Sequence, residues 1–290
     1  QTELYSKDIE YFPIPIPSPE IQKYIGDKVR KAEELREEAK KIKSLYQELI
    51  SDIYGDSNTS RFPKGIYYVQ SNDLDNKNLR IDSNYYNPLY NNENIKCNKM
   101  IELSKLVKFK NNTKVNLEEK YIYFEIRDIS TSNVLEEKER ITGSELPGRA
   151  KLKLRKGDII ISLIQESIQV TSYVDVEFEN ALTTNGCAVL VSKNKSIPAY
   201  LYAIMSSEYF ISQKCKYLSG TNIRSIAKDD LLSMSIPIIE QNMIDNIVEL
   251  VNEEFMKIRK SKQLIQYAKQ DVEDLIEGNF DMSEIEINNN

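Results

Sequence analysis

The side chains that usually carry out enzyme chemistry are scarce in this sequence. The chain has 290 residues and no histidine, which excludes Ser-His-Asp and Cys-His nucleophiles and every zinc site with a histidine ligand. Cys97, Cys187 and Cys215 are odd in number and widely spaced, so we expect reduced thiols and no zinc site. What remains for catalysis is carboxylate, Lys, Tyr or Cys chemistry.

One short motif could belong to an active site. Asn87-Pro88-Leu89-Tyr90 is similar to the Asn-Pro-Pro-Tyr loop with which amino-methyltransferases hold a target adenine. The second proline is missing, and no glycine-rich loop follows a strand to hold S-adenosylmethionine. Asp82 and Glu125 could be drawn into a nuclease metal site, but isolated carboxylates are more often solvated or salt-bridged. We favour structural roles for all of these residues. An adenine methyltransferase centred on Asn87-Pro88-Leu89-Tyr90 stays an alternative.

Basic residues are the second group that could bind a ligand. Arg149, Lys151, Lys153 and Arg155 alternate with apolar residues, and Lys156 follows them. On a strand, this alternation would place the cations on one face, where they could contact a phosphate backbone. The plainer alternative is the solvated face of an edge strand, where lysine prevents aggregation. A second group contains Lys96, Lys99, Lys105, Lys108, Lys110 and Lys114.

The formal net charge of −6 is unevenly distributed along the chain. Residues 1–55 carry a net charge of −2, residues 56–240 carry +2, and residues 241–290 carry −6. Acidic side chains therefore dominate the two ends, and the middle is slightly basic. Charge alone gives only weak support to DNA binding.

An internal repeat defines the elements that must position these residues. Residues 2–54 and 221–278 each begin with a short apolar strand and a proline and continue into a long helical pattern. Thr2 matches Thr221, and Ile16-Pro17 matches Ile236-Pro237. The match of Thr2 predicts that the chain opens at the end of a preceding domain.

Both long segments show the spacing of a coiled coil, because apolar residues recur at alternating intervals of three and four. We predict two helices of about 36 residues each, packed antiparallel, with Pro19 in the first turn and Gly55 and Gly278 at the C-terminal ends. The first predicted seam comprises Ile21, Ile25, Val29, Ala32, Leu35, Ala39, Ile42, Tyr46, Leu49 and Ile53. The second comprises Ile244, Val248, Val251, Phe255, Ile258, Ile265, Ala268, Val272 and Leu275, interrupted at Lys262.

The segment between the helices predicts a mixed α/β domain, which makes the fold class α+β. Strand-like patterns cover residues 121–126, 158–164, 170–176 and 187–191, and a helical pattern covers residues 199–217. No apolar segment approaches the roughly 18 residues of a membrane span. No signal peptide is visible, so we expect a cytoplasmic protein.

The motifs, taken in order, resemble those of the specificity (S) subunit of a type I restriction–modification system. The resemblance covers nearly the whole chain, from Thr2 to Gly278. It rests first on the Ile-Pro and Glu/Gln pattern that precedes each helix, and on the segment Leu79-Arg80-Ile81-Asp82-Ser83-Asn84-Tyr85-Tyr86. It rests also on three glycine-containing motifs, which are Gly148-Arg149-Ala150 with residues 157–162, Thr184-Asn185-Gly186, and Gly220-Thr221-Asn222.

The resemblance implies one target recognition domain flanked by two conserved helices that pack as an antiparallel coiled coil. Residues 1–55 would then be the end of a preceding recognition domain with the first helix, and residues 56–78 a linker. Residues 79–235 would be the recognition domain, residues 236–278 the second conserved region, and residues 279–290 a disordered tail.

The implied function is recognition without chemistry. Such a subunit reads one half of a bipartite DNA sequence and docks methyltransferase subunits through its helices. Partners would be double-stranded DNA and methyltransferase subunits, with a restriction subunit left open as a third. The chain would hold no cofactor, and S-adenosylmethionine would bind to the partner methyltransferase. The expected DNA-binding residues are Lys108, Lys110, Arg149, Lys151, Lys153, Arg155, Lys156, Thr221, Asn222 and Arg224.

Two alternatives to a free-standing subunit stay open. The chain could be the C-terminal recognition module of a fused adenine methyltransferase or restriction enzyme. It could also be a coiled-coil assembly module that binds no nucleic acid.

Overall fold

The computed structural model describes residues 16–55, 65–74, 80–90, 96–97, 99–130 and 133–281. The helices are α1 (Pro19–Tyr54), α2 (Leu103–Leu106), α3 (Ile126–Ser130), α4 (Pro198–Met205), α5 (Glu208–Lys216), α6 (Lys228–Ser233) and α7 (Gln241–Glu277). The strands are β1 (Met100–Glu102), β2 (Val107–Phe109), β3 (Lys120–Phe124), β4 (Ile141–Thr142), β5 (Ala150–Lys153), β6 (Asp158–Ser162), β7 (Thr171–Tyr173), β8 (Ala181–Thr184), β9 (Cys187–Ser192) and β10 (Ser235–Pro237).

The two long helices begin and end where the sequence predicts. Pro19 opens α1, and Gly55 follows it with a φ of 68°. Gly278 follows α7 with a φ of 77°. Glycine adopts this left-handed conformation at little steric cost, which is why it ends helices. No helix in the described part of the chain is long and apolar enough to cross a membrane.

The described residues form two compact units, which divide both long helices. One unit contains the residues up to Glu38 and those from Lys257 onward, and the other contains Ala39–Met256. In the first unit, α1 and α7 run antiparallel. Lys28 Nζ lies 2.7 Å from Asp271 Oδ2, and Lys257 Nζ lies 2.7 Å from Glu38 Oε2. The predicted antiparallel helix pair is therefore confirmed.

The predicted seam of α7 is only partly correct. Val251, Phe255 and Ala268 are buried as predicted, but Val272 is 42% exposed. Ile247, outside the predicted seam, is fully buried. The buried face of α7 also includes Glu254, Ser261 and Asp271. An apolar pattern could not identify these polar positions, because each depends on a partner on α1.

The second unit is built on two four-stranded sheets. One has the order β2-β9-β6-β7 and is antiparallel throughout, and the other has the order β4-β3-β8-β5 with β3 and β8 parallel. Ile122 and Leu152 of the second sheet share a buried core with Ile160 and Val189 of the first. The α+β class is therefore confirmed, with the core between the sheets. A small antiparallel sheet joins β1 to β10.

The four predicted strands all form, with ends that differ from the predicted ones by up to three residues. Ile126 begins α3 instead of extending β3, and β7 is limited to Thr171–Tyr173. The helical pattern predicted over residues 199–217 is confirmed, and it divides into two helices, α4 and α5. Ser207 causes the break, since its hydroxyl accepts a hydrogen bond from Phe210 N and so caps the start of α5.

Several predicted segments lie partly outside the described residues. These are the first copy of the repeated strand, the ends of the linker, and the tail from residue 282. Within the predicted linker, Ser71–Asp73 form a short 3-10 turn. The predicted tail begins too early, because the Phe280 ring packs edge-on against Tyr24 at 6.2 Å.

Candidate nucleic-acid interface

The alternating basic segment forms an edge strand of a sheet. Ala150, Leu152 and Leu154 are buried, whereas Lys151 is exposed and Lys153 is half-buried. The strand β5 ends at Lys153, so Arg155 and Lys156 belong to the following turn. The period-two pattern arises because successive side chains of a strand point to opposite faces.

The cations on this face differ in the partners they have. Arg149 Nη2 lies 2.8 Å from Glu125 Oε1, and its side chain is still 59% exposed. Lys153 Nζ donates to Asn180 Oδ1 at 3.3 Å. The Lys151 side chain makes no hydrogen bond or ion pair with any described residue. Of these three cations, Lys151 is the one best placed to meet a ligand.

Lys151 lines an open groove together with Lys114. The groove has a volume of about 560 Å³ and runs between residues 112–117 and residues 143–151. Its walls are joined where Thr113 N donates to Lys151 O at 2.7 Å. Gly143 forms part of the lining, and a Cβ there would lie 2.0 Å from Asn116 O. Two cations that pair with none of the described residues, in an open groove, are a suitable arrangement for binding phosphate oxygens.

Four other predicted DNA contacts lie at the end of the sheets away from Arg149, which we call the far end. They are Lys108, Lys110, Arg155 and Lys156. Lys108 and Asp158 are both opposite Val191, on the two sides of β9. Lys110 forms an ion pair with the buried Asp158 carboxylate, which also accepts a hydrogen bond from Arg155 N at 2.7 Å. Burial raises the pKa of Asp158, and Lys110 opposes this shift. Lys110 has this partner and its side chain is only 19% exposed, so it is less available to a phosphate than Arg149.

The predicted loop at Gly220–Arg224 is tightly closed. Ser219 and Ser225 exchange backbone hydrogen bonds of 3.0 and 2.9 Å. Gly220 has a φ of 110°, and a Cβ there would lie 2.7 Å from Ile223 O. Arg224 is half-buried and donates to Leu218 O at 3.1 Å, so it holds the loop in place.

The tip of this loop is exposed. Thr221 and Asn222 are solvent-exposed, and Ile223 is 67% exposed. Neither polar side chain at the tip bonds to a described residue. The tip therefore offers polar and apolar contacts in a fixed geometry.

Three loops and Arg149 meet at one end of the second unit. Gln165 N donates to Arg224 O at 2.9 Å, and Asn185 N donates to Arg149 O at 2.9 Å. A Cβ on Gly186 would lie 3.4 Å from Ile164 Cδ1. We call this surface, made by residues 149, 164–167, 185–186 and 220–224, the loop end.

The structure thus places eight of the ten predicted DNA-binding residues in two groups, and Lys151 and Lys153 lie on β5 between them. Arg149 lies at the loop end with Thr221, Asn222 and Arg224. Arg155 and Lys156 lie at the other end of β5, six residues away, which corresponds to roughly 20 Å along an extended strand. Lys108 and Lys110 lie with them.

The S subunit of the type I restriction-modification system from M. genitalium has a similar architecture. The comparison gives a TM-score of 0.51 at 13% sequence identity and covers 89% of this chain and 58% of that chain. This chain has the fold of a type I S subunit.

Two further solved chains overlap with a smaller part of this one. The HsdS subunit from Thermoanaerobacter tengcongensis matches at a TM-score of 0.45 and 21% identity, over 61% of this chain and 46% of that chain. A chain from a study of complex assembly and conformational transition of the type I R-M system gives a TM-score of 0.45 and 22% identity, over 61% and 47%. The chain spans about half the length of these proteins. No family model and no curated protein matches it.

Within this S-subunit fold, buried contacts hold the loop that contains Gln165. The hydroxyl oxygens of Ser162 and Ser167 lie 2.6 Å apart. Lys214, which is fully buried, donates to Ile168 O. Burial of a lysine is unfavourable unless its ammonium group is hydrogen-bonded, so this contact keeps the end of the loop in one position.

A pattern of charge does not identify three further residues at or beside the loop end. Gln165 and Asn185 are neutral, and no period or charge pattern distinguishes them. Arg127 has an 83% exposed side chain and lies 3.1 Å from Glu125. The sequence could have pointed to Arg127, because this residue directly follows the strand predicted over residues 121–126, and loop residues often contact ligands.

The residues considered for catalysis have structural surroundings. Asn87 and Tyr90 are buried, and Gln213 donates to Tyr90 O at 3.2 Å. Asp82 binds Arg80, as expected for a salt-bridged carboxylate. Among the described residues, no group of three or more His, Cys, Asp or Glu is placed to hold a metal ion. Cys97, Cys187 and Cys215 form no disulfide in the described part of the chain.

Proposed function

We propose that this S-subunit-like chain is a non-catalytic DNA-recognition component of a restriction–modification complex in the cytoplasm. It reads one half of a bipartite target with the loop end and docks methyltransferase subunits through α1 and α7. Adenine methylation with S-adenosylmethionine belongs to the partner. The observation that carries the proposal is the convergence of Arg149, the Gly220–Arg224 tip and the cation-lined groove in a chain with this fold.

The surface supports the two parts of such recognition. Lys114, Lys151 and Arg149 provide phosphate contacts, which position a protein on a duplex without reading its sequence. The loop end provides neutral polar side chains, which can read base edges. The near-neutral charge of residues 56–240, at +2, agrees with a module that depends on local rather than overall charge.

The long helices support the docking part of the proposal. Val272 and Ile276, which lie one turn apart on α7, are 42% and 65% exposed. Apolar side chains on an exposed helix face are suited to helix–helix association with another subunit.

A DNA-binding titration with the full chain tests the proposal. Fluorescence anisotropy with a pool of random duplexes should give an affinity that falls steeply between about 50 and 200 mM salt. Selection from the same pool should then enrich one short half-site. Absence of duplex binding at low salt, both alone and with a type I methyltransferase subunit added, would instead favour a coiled-coil assembly module. Binding of S-adenosylmethionine by the chain alone would favour the methyltransferase alternative.

A further inference from the structure

Two neutral side chains at the loop end are free to bind a ligand. Asn185 is exposed and Gln165 is half-buried. Neither carboxamide makes a hydrogen bond with any residue in the described part of the chain. A carboxamide that can donate and accept in one plane, and that has no internal partner, is available for an external one.

The backbones of both residues are held firmly. Gln165 N donates to Arg224 O and Asn185 N donates to Arg149 O, each at 2.9 Å. The two loops also touch, because the space beside Gly186 is filled by the Ile164 side chain. Fixing the backbone lowers the entropy that a side chain loses when it binds. The two carboxamides are therefore presented from a pre-organised surface.

The fold itself does not require an amide at either position. Asparagine often occupies turns with positive φ, but in the described part of the chain only Asn133 and Asn180 are non-glycine residues with positive φ. Asn185 also does not close a hairpin, because β8 and β9 belong to different sheets. Gln165 opens a 3-10 turn whose N-cap is Ile164. Neither amide caps or closes an element.

We infer that Gln165 and Asn185 are base-reading side chains and that each recognises an adenine in the major groove. This inference rests on the proposed DNA-recognition function. Adenine presents an N7 acceptor beside an N6 donor, and a carboxamide pairs with both at once. The amide NH₂ donates to N7 while the amide oxygen accepts from the N6 amino group.

The charged neighbours of these residues have different roles in recognition. Arg149, whose backbone holds Asn185, contacts a phosphate and carries no sequence information. Glu166 is exposed beside Gln165. A carboxylate would accept from cytosine N4, so a cytosine at the position that depends on Gln165 would contradict the inference.

Selection from a random duplex pool with the full chain tests the inference. The wild-type chain should enrich a half-site that contains two adenines. Gln165→Ala should abolish the preference at one of them, and Asn185→Ala at the other. Each variant should bind the selected duplex about ten- to a hundredfold more weakly and bind random duplexes within about twofold of wild type. Asn252→Ala removes an exposed amide from α7 and serves as the matched control.

A modified base identifies the contact directly. Replacing one adenine by 7-deazaadenine removes only the N7 acceptor. This should weaken binding of the wild-type chain about tenfold and leave binding of the corresponding variant unchanged, because that variant no longer has the amide.

The outcomes separate this inference from the proposed function. A wild-type chain that enriches no sequence overturns both. A wild-type chain that enriches a half-site, with the same preference in Gln165→Ala and Asn185→Ala, overturns only the adenine-reading roles. Equal effects of 7-deazaadenine on wild type and variants overturn them too. Unchanged thermal unfolding of each variant shows that a lost preference does not come from misfolding.

Discussion

At the scale of single residues, Arg80 joins three parts of the second unit. Its guanidinium lies 2.6 Å from Asp82 and 2.9 Å from Asp230, and it donates to Tyr217 O at 2.8 Å. It also lies over the Tyr85 ring at 4.7 Å. These contacts explain the Arg-Ile-Asp-x-x-Tyr-Tyr pattern in structural terms, because Asp82 orients Arg80 against the aromatic residue that follows.

Replacing Arg80 by alanine should destabilise the protein by about 3 kcal/mol, because two partly buried carboxylates lose their cation. Chemical denaturation of the full chain measures this change. Arg80→Lys keeps the charge but loses the planar fork, so an intermediate loss is expected. Arg155→Ala, an exposed arginine, is the control. A loss below about 1 kcal/mol for Arg80→Ala would contradict the anchoring role.

Glu254 makes stability depend on pH. It is 2% exposed and accepts a hydrogen bond of 2.7 Å from Tyr46. Burial raises the pKa of Glu254, while Lys43 and Tyr46 oppose the shift. The folded chain therefore binds this proton more tightly than the unfolded chain. The stability contributed by this group is complete below its ordinary pKa of 4.5 and is lost as pH rises through the raised pKa.

Glu254→Gln should remove this dependence, since glutamine resembles the protonated carboxyl and still accepts from Tyr46. Its melting temperature should exceed that of wild type at pH 8, and the difference should disappear near pH 4. Glu249→Gln, on the exposed face of α7, should leave the pH profile as it is in wild type. A lower melting temperature for Glu254→Gln at pH 8 would show that the charged form is the stabilising one.

Whether the sequence predicts the surroundings of a residue depends on whether local strand geometry or a distant partner determines them. Alternation of charge correctly predicted that Lys151 is exposed and Leu152 buried, because it follows from strand geometry alone. It could not predict that Lys110 pairs with Asp158 or Arg149 with Glu125, since these partners come from strands distant in sequence. Gln165 and Asn185 carry no charge, so a search for basic clusters passed over them.

At the scale of elements, the helix pair shows why a heptad pattern gives only part of a seam. The predicted lengths and ends of α1 and α7 are correct, because prolines and glycines determine them locally. The buried polar positions depend on the partner helix. Ser261 donates to Ala32 O at 2.7 Å, which requires the helices to approach closely where both side chains are small.

Ala32→Leu should separate the helices at this point. Ala32 is completely buried, so the added carbons have no space, and overpacking of this kind costs about 2 kcal/mol. Glu33→Leu adds the same side chain at the next, exposed position and should be nearly neutral. Thermal unfolding followed by circular dichroism compares them. Equal melting temperatures would show that the close approach does not hold in solution.

The loop at Gly220–Arg224 depends on one glycine. Gly220→Ala would place a Cβ 2.7 Å from Ile223 O at a φ of 110°, and such backbone strain costs about 2 kcal/mol. The tip should move, so selectivity among duplexes should fall more than affinity for random DNA. Gly148→Ala is the control, because a Cβ there meets nothing within 4 Å. Unchanged selectivity in Gly220→Ala would exclude the tip from base recognition.

At the scale of the whole molecule, the sequence predicted the strands but not the sheets. Strand patterns depend on local alternation, whereas pairing β8 with β3 and β5, and β9 with β2 and β6, depends on contacts between distant segments. This pairing places the turn at Asn185–Gly186 at a corner between two sheets. The sequence could therefore propose ten DNA contacts but could not divide them between two ends.

This division gives a prediction about the overall charge and its response to salt. The chain has a net charge of −6, so its affinity for DNA must come from a local set of cations. Lys114 and Lys151 line the groove, whereas Lys108 and Lys156 are exposed at the far end. Each lysine that contacts a phosphate contributes about one to the slope of log affinity against log salt.

The double variant Lys114→Ala with Lys151→Ala should reduce that slope by about two and weaken binding to all duplexes by a similar factor. Lys108→Ala with Lys156→Ala removes the same charge from the molecule and should leave the slope unchanged. Anisotropy titrations at several salt concentrations measure both. If the two double variants reduce the slope equally, overall charge rather than the groove determines binding. If only the far-end variant reduces it, the duplex lies at the opposite end of β5.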